Sequence, residues 1–268
     1  MRMNGVLRDL SVLALVEAIK ANLFEWLRYL GSSPKAELHD SPELTRLLTG
    51  LPTPTLNAVL RTRAEPGNVD AIIEKTVAHF RSRGVTRFCW WIGPDSRPTD
   101  LAEHLVAHGL TYREGGAGMA VDLLALNEDL PAPAGLAIEH VEDTEGLGQW
   151  ARASFAGIGL PETSVPGGID LFAGLGFDLP LRNYLGILNG EPVATSQLFL
   201  GAGVVGIYVV STVPWARRKG IGTAMTLAAL RDACDMGFRV GILHSSPMGL
   251  EVYRRLGFQE YCRMSHFG

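Results

Sequence analysis

The residues best suited to chemistry lie together in the run Val209-Val-Ser-Thr-Val-Pro-Trp-Ala-Arg-Arg-Lys-Gly-Ile-Gly-Thr223. A β-branched stretch ends there, and a short loop follows with Arg217, Arg218, Lys219, Gly220 and Gly222. An apolar helix is then expected over 221–236. The first N–H groups of a helix have no partner inside it, and the aligned peptide dipoles add partial positive charge at that end. Glycine lets the backbone come close to a bulky anion, and neighbouring cations help to neutralise it. The run therefore has the composition of a phosphate cradle. The competing reading is a solvated basic turn ahead of an ordinary helix.

A second pattern lies downstream in Ser246-Pro-Met-Gly-Leu-Glu-Val-Tyr-Arg-Arg-Leu-Gly-Phe258. Serine is suited to cap a helix, proline to occupy its first position and glycine to end it, with Tyr253 four residues before that glycine. Gly222 and Tyr253 are 31 residues apart, and one helix and one strand fill the gap. With R-x-x-G-x-G at 217–222 and Y-x-x-L-G-F at 253–258, residues 135–268 resemble the GCN5-related N-acetyltransferase superfamily over a full domain.

The resemblance implies acetyl-CoA as cosubstrate, with no metal. Arg217, Arg218, Lys219, Gly220, Ile221, Gly222 and Thr223 would hold its pyrophosphate, and Val210, Ser211 and Thr212 would pair their backbone with the pantetheine arm. Tyr253 would protonate the departing thiolate. Ser246 stands where relatives often have asparagine, with a shorter reach to the pantetheine amide. Many relatives also carry a glutamate on the strand before the loop as general base, but here residues 204–212 hold no ionisable group except Tyr208. The base must then be His244, whose ordinary pKa suits removal of a proton from an ammonium, or Glu162, or a water chain. The expected reaction is direct attack of an amine on the thioester in a ternary complex, with a backbone N–H near Val210 holding the oxyanion. No covalent intermediate is expected, because neither motif contains cysteine. A small or amino-acid-like amine is favoured over a protein tail. The alternative is a non-catalytic acyl-CoA-binding or regulatory module.

These residues need a scaffold, and the pattern supplies one. Residues 127–134, Asn-Glu-Asp-Leu-Pro-Ala-Pro-Ala, read as a linker between domains at 1–126 and 135–268. In the first, helices are expected near 7–29, 69–83 and 99–108, with strands near 36–40, 43–48, 56–62, 86–92 and 112–123. In the second, strands are expected near 135–140, 182–188, 192–200, 203–212, 239–244 and 258–266. Its helices fall at 144–175, broken by a Gly/Pro-rich loop, and at 221–236 and 248–255. The expected class is α/β, each domain on a mixed, twisted sheet. The halves echo one another: Trp90-Trp-Ile92 leads through Pro98 to Gly109, as Gly241-Ile-Leu243 leads through Pro247 to Gly257. The N-terminal counterpart of the cradle, Arg63-Ala-Glu-Pro-Gly-Asn68, has one glycine, an acid and a proline without an N–H, a poor phosphate site. A tandem protein with a degenerate N-terminal half is expected. That half is left to close the acceptor cleft, extend a sheet or hold a second subunit, so a homodimer is one expected state.

Composition bounds the rest. The chain has 268 residues, 47% hydrophobic and 19% charged, which is enough apolar surface to exclude disorder. Net charge is −4, divided evenly between the halves, so no basic field favours nucleic acid. Cys89, Cys234 and Cys262 are odd in number and widely spaced, fitting a reducing cytoplasm. The charges within 2–20 interrupt any signal-peptide core. Leu198–Ala216 is uncharged for nineteen residues, but its glycines and Pro214 favour two buried strands over a membrane span. Gly201-Ala-Gly-Val-Val-Gly206 matches a dinucleotide fingerprint by letter only, since a strand follows it rather than a helix. His104 and His108 share a helix face without a third ligand, and read as a solvated face. Trp90 and Trp91 read as core.

Overall fold

The computed structural model describes residues 5–93 and 96–268. In chain order its elements are α1 (Val12–Leu30), β1 (Glu37–Asp40), β2 (Leu44–Leu48), β3 (Asn57–Thr62), α2 (Val69–Ser82), β4 (Cys89–Trp91), α3 (Leu101–Ala107), β5 (Tyr112–Arg113) and β6 (Ala117–Asp122). There follow β7 (Leu136–His140), α4 (Thr144–Ile158), α5 (Val165–Ala173), β8 (Leu181–Leu188), β9 (Glu191–Gly201), β10 (Val204–Thr212) and α6 (Ile221–Asp235). The chain ends with β11 (Val240–Ser245), α7 (Leu250–Leu256), β12 (Gln259–Arg263) and β13 (His266–Phe267). Among the described residues no helix is long and apolar enough to cross a membrane.

The elements form two compact units, but not the consecutive halves that the linker suggests. One unit takes the chain up to Trp26 together with Gly116–Cys262, and the other takes Leu27–Gly115 and Arg263–Gly268. The expected single strand over 112–123 divides into β5 and β6, which enter different sheets. The expected strand over 258–266 likewise divides into β12 and β13. Glycine permits the first break. A side chain at Gly115 would overlap the carbonyl of Met264, and one at Gly116 would overlap that of Ser245. Packing favours the division: Ala117–Val121 are buried throughout, as a strand needs to be when it is covered on both faces.

The first unit has seven strands in the order β12-β6-β11-β10-β9-β8-β7, with β10 and β11 parallel. The uncharged stretch from Leu198 folds as a hairpin, turned at Ala202 (φ 50°) and Gly203 (φ 72°), the left-handed pair that suits a tight β-turn. Alternation along β9 assigns the two faces. Ser196 turns to α6 and donates to the Met225 carbonyl at 3.1 Å. Thr195 and Gln197 turn the other way, to α4 and α1. On that second face Trp26 stacks on Tyr208 at 4.2 Å between ring centroids and donates to Gln197 Oε1 at 2.7 Å. The Tyr208 hydroxyl donates to Asn22 Oδ1 at 2.7 Å. Asn22 fits there because a side chain at Gly206 would occupy its place. Thus α1 is an integral cover of this sheet. It begins at Val12 rather than near residue 7, after Ser11 accepts the Ala14 N–H.

The second unit has six strands in the order β1-β2-β3-β4-β13-β5. Trp90 is fully buried there with its indole N–H on Thr62 Oγ1 at 3.0 Å, and Trp91 is 6% exposed, so both serve as core.

Candidate functional site

The site begins where β10 leaves β11. Val205, Gly206 and Ile207 pair with Gly241, Ile242 and Leu243, and the pairing stops there. On its other side β10 slips register between Tyr208 and Ser211, leaving Val209 and Val210 without partners in the β9 register. Val209 takes φ 48°, a left-handed conformation that costs a β-branched residue about 1–3 kcal/mol. Its surroundings hold it: Thr195 Oγ1 donates to the Val209 carbonyl at 2.9 Å and lies 3.0 Å from Ser211 Oγ. Such a bulge bends a strand. Beyond Ile207, β10 therefore presents an edge toward β11 that no strand pairs among the described residues, the arrangement that receives an added extended chain.

The loop after β10 supplies donors. Arg218 (φ 62°) and Gly220 (φ 81°) are both left-handed, the kind of backbone that can set successive N–H groups toward a shared anion. Among the described residues no acceptor meets the N–H groups of 218–223; the first to be bound is that of Ala224, on the Gly220 carbonyl at 3.1 Å. Ile221 and Thr223, 2% and 9% exposed, anchor the start of α6 in the core and leave only their backbone to a ligand. Gly222 faces open space: the nearest atom to a side chain placed there would be Thr212 Oγ1 at 4.0 Å. The loop that the sequence marked as a cradle thus follows directly on the end of β10, with backbone donors available.

The three cations separate into two roles. Arg217 was expected to face phosphate, but its Nε donates to the Thr212 carbonyl at 3.1 Å and its Nη2 to the Gly157 carbonyl at 2.8 Å. It is a tie between the strand end, the loop and the end of α4. Gly157 must be small, since a side chain there would reach to 2.6 Å from Ser211 Oγ. Ser211 itself turns inward, donating to the Ser154 carbonyl at 3.3 Å, so only its backbone can serve a ligand. Arg218 and Lys219 are exposed. Lys219 Nζ lies 5.6 Å from the ring centroid of Trp215, which is 57% exposed. The sequence contains Trp215 within the motif, yet its indole draws attention only once it is seen on the surface beside the cradle.

Tyr253 stands on α7 and packs edge-on against Phe258, with centroids 5.9 Å apart. Among the described residues its hydroxyl has no hydrogen-bond partner, and burial pushes its pKa up to about 12. It is therefore a phenol with a proton to give at neutral pH. Ser246 does not cap α7, which starts at Leu250 rather than just after Pro247. Its Oγ accepts the Gly249 N–H at 3.3 Å, in a turn beside the Tyr253 ring. Glu162 lies on an exposed surface turn.

His244 follows the last parallel pair and turns to the α1 face, opposite the α6 side on which Leu243 and Tyr253 pack. Both ring nitrogens are shielded from solvent and unpartnered, although part of the residue reaches the surface. Burial lowers its pKa to about 4, with the Ile19 backbone opposing weakly. The sequence suggested an imidazole titrating near neutrality and able to deprotonate an ammonium; desolvation removes that property.

The second unit repeats the strand–helix–strand–helix order with β3 and β4 parallel, but its opening is closed. At the place in this unit that matches the parting of β10 and β11 in the first, Arg97 bridges to Arg63, donating its N–H to the Thr62 carbonyl and accepting that of Ala64. His104 and His108 are not a solvated face: Nδ1 of the first and Nε2 of the second lie 2.8 and 3.0 Å from Asp70 Oδ1. Asp70 is 34 residues from His104, so only the packing of α3 on α2 discloses the pair.

No protein-family model matches the sequence, and no curated protein matches it. Solved structures do match its fold. A GCN5-related N-acetyltransferase from Kribbella flavida superposes with a TM-score of 0.64 at 23% identity, over 96% of this chain and 95% of the other. One from Sphaerobacter thermophilus gives 0.59 at 15%, over 87% and 82%. A tandem GNAT protein from the clavulanic acid biosynthesis pathway gives 0.53 at 16%, over 92% and 94%. The chain thus has the tandem fold of the GCN5-related N-acetyltransferases.

Proposed function

We propose that this protein is an acetyl-CoA-dependent N-acetyltransferase that transfers an acetyl group to the primary amine of a small acceptor. One observation carries the reading: among the described residues, the six consecutive N–H groups of 218–223 make no backbone hydrogen bond of normal geometry, and space is open at Gly222. They stand beside a strand edge that has left its neighbour. A pyrophosphate joined to an extended amide-bearing arm has the chemistry to satisfy both. The N–H groups of Arg218 to Thr223 would hold the phosphates, with Arg218 and Lys219 adding charge. The backbone of Val210 to Thr212 would hold the arm.

When bound, acetyl-CoA supplies an activated acyl group on a thiolate leaving group. The residues do the rest. The N–H of Val210, within the bulge, serves the negative charge that develops on the carbonyl oxygen. Tyr253 gives its proton to the departing sulfur, and its raised pKa keeps that proton available across the physiological range. Arg217 keeps the loop and the strand end in register.

The test is isothermal titration of the full chain with acetyl-CoA, followed by thiol release in the presence of a panel of small amines. Binding at one site per chain, with release dependent on an amine, supports the reading. Tight binding with no turnover on any amine would favour the acyl-CoA-binding module, for which the lack of a carboxylate on β10 is the specific argument. Absence of binding would refute both.

A further inference from the structure

We propose that the acceptor side of this cleft is built for a weakly basic primary amine that is uncharged at neutral pH, of the arylamine kind, and that His244 receives its N–H proton. The proposal rests on the transferase reading above and adds the class of acceptor.

The geometry starts at the point of divergence. Ile207 and Leu243 form the last parallel pair, so Tyr208 and His244 are the first residues on either side of the opening. Alternation turns both toward α1, as it does Val204, Val240 and Ile242, which pack against Leu15, Ala18 and Ile19. Tyr208 is committed, with its hydroxyl on Asn22 and its ring on Trp26. His244 is not. Both its nitrogens are shielded from water and, among the described residues, neither makes a hydrogen bond of normal geometry, although the Ile19 backbone approaches the ring. Native structures rarely leave a buried ring in that state without a reason. A ligand entering between the strands would supply the missing partner.

The groups around His244 decide what that ligand can be. From α1 it meets the Ile19 backbone and, further along, Asn22. From β10 it faces Tyr208, and from β6 its register partner is Gly118, which abuts Cys262 of β12. Behind Tyr208 stand the amides of Gln197 and Asn183, bonded to each other. Neither β10 nor β11 carries an Asp, Glu, Lys or Arg. Glu25 of α1 is occupied by the Ala202 N–H at 2.7 Å. Lys20 and Glu260 act on Cys262, and among the described residues burial and the Ile19 backbone are what act on the His244 ring. An ammonium placed here would lose its hydration and gain no counter-charge. A neutral amine would lose little.

Proton transfer points the same way. Burial leaves His244 a base of pKa about 4. Such a base cannot take a proton from an alkylammonium. It can take one from an aryl nitrogen, whose N–H becomes strongly acidic as the lone pair is drawn to the carbonyl. In the step, the N–C bond forms and the C–S bond breaks, with its electron pair leaving on sulfur. The N–H proton passes to His244 and the phenol proton of Tyr253 passes to the thiolate. His244 then releases its proton to solvent and Tyr253 regains one, so the enzyme returns unchanged.

The experiment uses the full chain with acetyl-CoA and two acceptors of similar shape, 4-methylaniline and 4-methylbenzylamine. At pH 7 the aniline should be acetylated with kcat/KM about a hundredfold or more above the benzylamine, because an alkylamine of pKa near 10 is almost wholly protonated there. The aniline profile should be flat from pH 6 to 9, while that of the benzylamine should rise tenfold per pH unit. His244→Gln should lower kcat/KM for the aniline at least tenfold and leave the Kd for acetyl-CoA unchanged. A readout independent of turnover is the ring ¹⁵N resonance of His244 in the native chain, which should shift when 4-methylaniline is added with CoA present. That readout stands even where the variant fails to fold. Equal use of both amines at pH 7, acetylation of neither despite acetyl-CoA binding, or an unmoved His244 resonance would overturn the acceptor assignment. Failure to bind acetyl-CoA at all would sink the transferase reading itself.

Discussion

Replacing Gly222 by alanine separates the cradle from an ordinary helix start, because the two accounts differ in sign. The added methyl meets nothing closer than Thr212 Oγ1 at 4.0 Å, so it carries no steric penalty in the free protein. Gly222 is the second residue of α6, and alanine is favoured over glycine in a helix by up to about 1 kcal/mol. The variant should therefore be as stable as the parent or slightly more so, with Tm raised by up to about 4 °C. In the cradle reading the same methyl would stand where a phosphate approaches the loop N–H groups. Hydrogen bonds to a charged acceptor contribute about 1.5–3 kcal/mol each. Displacing a phosphate from one of them should weaken acetyl-CoA binding by about 10- to 100-fold. Scanning calorimetry of the free protein and titration with acetyl-CoA measure the two effects separately, and Gly222→Trp should abolish binding altogether. Unchanged affinity in the alanine variant would refute the cradle. Reduced affinity accompanied by an equal loss of stability would mean that Gly222 serves the fold and not the ligand.

Other outcomes follow from the same geometry. Tyr253→Phe should lower kcat while leaving acetyl-CoA affinity nearly intact, and parallel loss of both would assign Tyr253 to packing. A combined Arg218→Ala and Lys219→Ala variant should bind acetyl-CoA more weakly and with a shallower dependence on salt. Arg217→Ala should weaken binding without altering that dependence, because its guanidinium is spent on the Thr212 and Gly157 carbonyls; a change in salt dependence would return Arg217 to the phosphate. A fragment spanning 135–268 lacks β6, the strand between β12 and β11, and the cover formed by α1, so it should show no cooperative unfolding. A folded fragment that binds acetyl-CoA would contradict the division into units. His244 should also mark the acid stability of the chain. Its folded pKa of about 4 lies below the ordinary value of 6.5, so the unfolded chain binds more protons between them. Stability contributed by keeping the ring neutral is full above pH 6.5 and is lost as pH falls toward 4, by about 3 kcal/mol. Urea titrations of His244→Gln should be flatter over that window, and an unchanged slope would deny the ring its burial.

The sequence by itself determined where most elements lie and which loop offers backbone donors. Helix periodicity, strand alternation and the placement of glycine and proline are local, and α2, α4, α6 and most strands fall within two residues of the positions they predict. The loop at 217–222 was legible for the same reason: its donors belong to the backbone, whose availability follows from a strand ending and a helix beginning. Tertiary structure alone decided matters that depend on what a side chain meets across the fold. Arg217 and Arg218 are adjacent in the chain and alike in chemistry, yet one is bound to carbonyls and the other faces solvent, because Gly157 comes from a helix sixty residues away. His244 has an ordinary pKa until α1 covers it. The assignment of β6 and β13 to their sheets lies equally beyond local pattern, since a short apolar strand carries no mark of the edge it will join. Propensity acts between neighbours in sequence, whereas desolvation, carbonyl capture and strand pairing are set by neighbours in space.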